Sequence, residues 1–89
     1  MTATVHLPVS LARLFPGCSR AEPVSPGTLG DVLRELDSRW PGMWDRLCES
    51  SHELRRHIIV LDDDGKRMDL RAPVLEGAEV HVLLAMSGG

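Results

Sequence analysis

The groups in this sequence with the plainest chemical use are its last ones. Ser87-Gly88-Gly89 comes directly after an apolar, strand-like run that includes Val80, Val82, Leu83 and Leu84. A turn glycine needs chain on both sides, whereas two glycines in succession at an end make a thin, extended tail. Without a Cβ, such a tail can enter a channel where any larger side chain would clash. Gly88 and Ser87 then provide the access, and what they deliver is the α-carboxylate of Gly89.

The other reactive side chains fall into no catalytic or metal-binding pattern. His6, His52, His57 and His81 are not spaced as a metal-ligating pair. The run Asp62-Asp63-Asp64-Gly65 suggests calcium at first sight. It lacks the alternating oxygen ligands and the downstream Glu of a calcium loop, so it reads as a hairpin turn. Cys48 and His52 would need a third, orienting group and a cleft to work as nucleophile and base. Asp31 and Glu35 share a helix face that solvent alone accounts for. Cys18 and Cys48 are two cysteines far apart, which make no disulfide framework and read as free thiols in a reducing compartment. The expectation is no catalytic residue and no metal site in this chain.

The elements that must carry the tail are legible in outline. Thr4 to Pro8 alternates polar and apolar residues as a half-buried strand does, and Arg20 to Val24 reads as a short second strand. Pro16-Gly17 marks a turn between them. Thr28 opens the clearest helix: Thr28-x-x-Asp31 is a capping box with Asp in the usual Glu place, and Leu29, Val32, Leu33, Leu36 and Trp40 form one apolar stripe. Pro41-Gly42 ends it, Met43, Trp44 and Leu47 suggest a further helical turn, and Ser50 to Arg56 reads as a loop. His57 to Leu61 is a β-branched strand, Asp64-Gly65 predicts a hairpin with both turn residues at positive φ, and Lys66 to Met68 returns as its second arm. Pro73 to Gly77 reads as a turn or short helical piece, and Glu79 to Ala85 as the last strand. One long helix with an apolar stripe needs one sheet face to cover it, which makes a two-layer α+β roll. If the first and last strands lie side by side at its centre they run parallel, and the tail leaves from one corner of the sheet.

Length and composition narrow the function classes. Eighty-nine residues make one domain, expected over residues 1–86 with a flexible tail at 87–89. A chain this short buries roughly 60–65% of its unfolded surface, which argues against an enclosed active site of its own. A net charge of −3 offers nucleic acid no electrostatic partner. No apolar run approaches the roughly 20 residues of a membrane span, and Met1-Thr2-Ala3-Thr4 lacks the basic start and apolar stretch of a secretory leader. The expected setting is the cytoplasm.

These stretches together resemble the β-grasp, ubiquitin-like sulfur carriers. That family includes the small subunit of molybdopterin synthase, the thiamine-pathway carrier, and the carrier that feeds a cysteine synthase. The resemblance covers essentially the whole chain. It rests on Thr28-Leu29-Gly30-Asp31-Val32-Leu33-Arg34-Glu35-Leu36, on the hairpin from Asp62 to Arg67, and on Leu75-Glu76-Gly77-Ala78-Glu79-Val80-His81-Val82 leading to Gly88-Gly89. Met43 to Arg56 is most similar to the longer helix-loop insert of the cysteine-pathway carriers, whereas Ala85-Met86-Ser87 departs from the small or Pro-containing segment common before the glycines.

The resemblance implies a β-grasp roll with a mixed four- to five-stranded sheet on one main helix. It also implies that Gly89 is adenylated by a ThiF/MoeB-like enzyme and converted to a thiocarboxylate, with a sulfur donor and a sulfur-accepting synthase as further partners. ATP and magnesium would be used by the activating enzyme, and this chain would bind no cofactor and be a monomer when free. A carboxylate of pKa about 3.5 is ionised at neutral pH and is a poor electrophile, which is why the adenylate is needed. Ile58, Val60, His81 and Leu83, with Met86, are the expected docking patch, placed on the sheet face opposite the helix. The alternative outcome for the same adenylate is an isopeptide bond from Gly89 to a lysine, the chemistry of a protein modifier.

Overall fold

In the computed structural model, which describes residues 2–85, the order of elements is β1 (Ala3–His6), α1 (Val9–Ala12), β2 (Ala21–Val24), β3 (Gly27–Thr28), α2 (Leu29–Arg39), α3 (Met43–Leu47), β4 (Ile58–Leu61), β5 (Pro73–Val74) and β6 (Glu79–Leu84). β2, β1, β6 and β4 form one mixed sheet in that spatial order. The first and last strands are parallel neighbours at its centre, with Val5 beside Val80 and His6 beside His81. Both outer pairings, β1 with β2 and β6 with β4, are antiparallel. Pro23 is accommodated because β2 is an edge, where one face of the backbone needs no partner.

Helix α2 begins where its sequence says it should. The Thr28 hydroxyl accepts from the Asp31 N–H at 3.1 Å, and the Asp31 carboxylate accepts from the Thr28 N–H at 3.1 Å. Two more of the first-turn N–H groups go to the segment before β5: Leu29 donates to the Ala72 carbonyl and Gly30 to the Leu70 carbonyl. That approach leaves little space, since a Cβ on Gly30 would stand 3.3 Å from the Leu70 oxygen. Leu29, Val32, Leu33 and Leu36 are fully buried against Ala3, Val5, Val24, Ile58, Val60, Val80 and Val82 of the sheet. Trp40, expected to extend this stripe, leaves the helical conformation as its C-cap (φ −130°, ψ 87°) and packs at the margin of the core. Met43 and Leu47 of α3 close one end of that core.

Four local expectations change. The first connection holds a short helix, α1, whose start is fixed by the Pro8 carbonyl accepting from both Leu11 and Ala12. The Asp62–Gly65 turn is closed by the Asp62 carboxylate, which accepts from the Asp64 and Lys66 N–H groups, and only Gly65 has positive φ. A side-chain acceptor supplies what two left-handed residues were expected to supply. The returning arm is a single bridge, Leu61 with Arg67, not a full strand. Pro73–Val74 is extended and pairs with β3, and the turn expected over Pro73 to Gly77 is confined to its second half, where Gly77 has φ 80° and the Ala78 N–H donates to the Leu75 carbonyl.

Candidate functional site

The corner where the tail leaves is set by the central strands. β6 runs beside β1 and ends at Leu84, and the Ala85 N–H then donates to the His57 carbonyl at 2.7 Å. This bond ties the base of the tail to the start of β4. Met86, Ser87, Gly88 and Gly89 lie outside the described residues, as does the expected division between domain and tail. Four residues reach at most about 14 Å when extended. Beside the tail base is a recess of about 290 Å³ between α1 and the sheet end, lined by Leu11, Leu14, Ile58 and Leu84 with Ser10, Arg46 and His57.

The sheet face away from α2 differs from the expected patch in two of its members. His81 and Leu83 do lie on it, Leu83 being 44% exposed. Ile58 and Val60 do not: they are 5% and 2% exposed and face the helix. The reason is register. Ile58 pairs with Leu84 and Val60 with Val82, so they share the inward side of β6, and Ile59 and Leu61 take the outward places beside Leu83 and His81. His6, from β1, completes this face. Its ring stacks on that of His81, with centroids 4.8 Å apart and planes 9° from parallel. Glu79 meets the His6 ring nitrogen at 2.5 Å, and Asp63 stands 4.0 Å from that of His81. Among the described residues no group of three or more His, Cys, Asp or Glu converges for a metal.

The acidic residues of the main helix have structural work. Asp31 completes the cap, and Glu35 accepts from the Ser25 N–H and pairs with Arg39, which also donates to the Pro23 carbonyl. Trp44, which no motif explains, is covered by the Arg34 guanidinium at 4.2 Å. Cys18 and Cys48 are unbonded to one another. Burial pushes the Cys48 thiol up to about 11, with Arg34 and Arg55 pulling weakly the other way, and burial followed by Glu22 raises that of Cys18. Neither is a ready thiolate. No helix among the described residues is long and apolar enough to cross a membrane.

No family model matches the chain. Curated relatives do. The sulfur carrier protein CysO of Mycobacterium tuberculosis and that of Mycobacterium bovis are each 30% identical over 94 aligned positions, which take in all of this chain and all of theirs. The chain belongs to the CysO family of sulfur carriers. Solved structures agree on the fold. CysO in the Amycolatopsis orientalis BexX/CysO complex superposes with a TM-score of 0.84 at 27% identity, covering 98% of this chain and 99% of that one. Mycobacterium tuberculosis CysO gives 0.82 at 27%, covering 94% and 99%. SAMP1 of Haloferax volcanii gives 0.80 at 28%, covering both chains completely. The mixed sheet on one main helix is thus the ubiquitin-like β-grasp, and this CysO relative carries it from β1 to the tail base.

Proposed function

We propose that this chain carries sulfur as a thiocarboxylate on Gly89. The observation that carries the reading is the whole-length match to CysO together with Ser87-Gly88-Gly89 following the central strand β6 in the sequence. The Gly89 carboxylate attacks the α-phosphorus of ATP and pyrophosphate leaves, giving an acyl-adenylate. Hydrosulfide attacks the acyl carbon, AMP leaves with the bonding pair, and the C-terminal thiocarboxylate remains. That sulfur then serves as nucleophile toward an electrophilic substrate held by an acceptor enzyme. The catalytic groups belong to a ThiF/MoeB-like adenylating enzyme and to the acceptor, and ATP and magnesium to the former. This chain supplies the tail, its cytoplasmic carrier body, and a docking face built from Ile59, Leu61, His81 and Leu83 with His6 beside them. A partner protein such as the one bound by the Amycolatopsis CysO fits this reading.

The test is intact-mass spectrometry after incubation with an adenylating enzyme that thiolates CysO-type carriers, ATP, magnesium and sulfide. The expected product gains the mass difference between sulfur and oxygen, and a chain lacking Gly88-Gly89 gains nothing. An unchanged mass in the full-length chain overturns the proposal. The likeness to the small archaeal modifier SAMP1 favours a second reading, in which a lysine amine attacks the acyl carbon of the Gly89 adenylate, AMP leaves and an isopeptide bond forms. It requires high-mass conjugates in cells expressing the tagged chain, lost on removal of Gly88-Gly89.

A further inference from the structure

The open sheet face is not the only apolar surface next to the tail. The recess between α1 and the end of the sheet is a place where core residues reach solvent. Ile58 and Leu84 are members of the core layer, Leu11 is buried beneath them, and Leu14 is 50% exposed at the mouth. Its volume of about 290 Å³ lies at the bottom of the range for small-molecule sites, enough for one large side chain. The surrounding charge is mainly basic, with Asp45 as its one carboxylate. Arg46 and His57 line the recess, and both also line a neighbouring hollow with Arg55 and Asp45. Arg55 donates its Nε–H to the Asp45 carbonyl oxygen. Among the described residues neither Arg46 nor Arg55 forms an ion pair with a carboxylate. Ala85, the last described residue of the tail base, forms one wall.

We infer that this recess is a second docking surface, filled by an apolar side chain flanked by carboxylates on the protein that takes up the tail. The inference rests on the carrier reading above. A protein that encloses the four residues after Ala85, within about 14 Å of that point, must lie against whatever surrounds Ala85. Covering Leu14 and Leu84 removes apolar surface from water, and an acidic rim meets the two arginines. The charges steer the encounter and the apolar contact holds it. The other occupants to be separated are the chain's own Met86 and a second copy of the chain.

The experiment measures ATP–pyrophosphate exchange by the adenylating enzyme, with wild type, Leu14→Asp, Arg46→Glu and, at the far end of the sheet, Leu75→Asp. All three substituted positions are exposed, and circular dichroism melts check that each variant folds. Leu14→Asp and Arg46→Glu are expected to raise KM for the carrier by about tenfold or more with kcat held. Arg46→Glu should also flatten the salt dependence of KM, while Leu75→Asp matches wild type. A modified wild type with both variants equal to it overturns the surface and leaves the carrier reading standing. A wild type that is never modified overturns both. Methyl resonances of Leu14 and Leu84 that shift in the free Met86→Ala chain, or on dilution, assign the recess to the chain's own tail or to a second copy and overturn the inference.

Discussion

Two adjacent isoleucines offer the sharpest test of the fold that positions the tail. Ile58 is 5% exposed and faces α2, whereas Ile59 is half-buried and faces outward beside Leu83. Truncating Ile58 to Ala removes three buried carbons, worth about 2.4 kcal/mol at about 0.8 per methylene. The cavity left against a close-packed helix brings the loss to about 3–4 kcal/mol, inside the range of about 2–5 found for such truncations. A domain of this size is stable by about 4–13 kcal/mol, so the variant keeps its fold with much less margin. At about 4–8 °C per kcal/mol, its Tm falls by about 12–30 °C. Ile59→Ala opens no cavity and costs under about 1 kcal/mol, chiefly cross-strand contact with Leu83. Calorimetry with urea titration measures both. In the exchange assay Ile59→Ala raises KM for the carrier despite its small cost in stability. Equal losses of stability, or a larger one for Ile59→Ala, would refute the register from which the docking face is drawn.

Further outcomes follow from single contacts. Thr28→Ala removes the helix cap and should cost about 1 kcal/mol in urea unfolding, with Thr28→Ser restoring most of it. Leu83→Asp should leave the melting curve within about 0.5 kcal/mol of wild type and weaken adenylation, while the neighbouring Val82→Asp, a carboxylate placed where Val82 is 2% exposed, should abolish the folded signal. Native alkylation at pH 8, read by intact mass, should label Cys18 at most, and Cys48 only after unfolding. The Cys48 thiol, pushed up to about 11 from 9.0, keeps its proton in the fold when the unfolded chain has lost it. Its share of stability is therefore intact below about 9 and is lost as pH rises from there to about 11. Urea midpoints across that window should fall more steeply for wild type than for Cys48→Ala.

The helix and the family were legible because each is carried by local spacing. Thr28 and Asp31 are three apart, Leu29 to Leu36 recur at three and four, and Gly88-Gly89 is contiguous. These patterns involve residues close in the chain and need no knowledge of the fold. The pairing of β1 with β6 was a conditional in the sequence, since a helix that must cover one sheet face does not fix strand order, and the structure shows it. The hairpin at Asp62 was legible as a turn but not in its mechanism, because a carboxylate acceptor and a second left-handed residue serve the same purpose from similar sequences.

By itself, then, the sequence determined where the main helix begins and that one face of a sheet must cover it, and it is the sequence that points to the Gly89 carboxylate as the proposed reactive group. Tertiary structure alone decided which side of β4 faces out. Ile58-Ile59-Val60-Leu61 is apolar at every position, so alternation carries no sign there, and only hydrogen-bonded register with β6 distinguishes the two faces. The same holds for the His6–His81 stack and the recess at the tail base. Their members lie up to 75 positions apart in the chain, and they meet because β1 and β6 run parallel, which sets His6 beside His81 and the segment after β1 beside the end of β6.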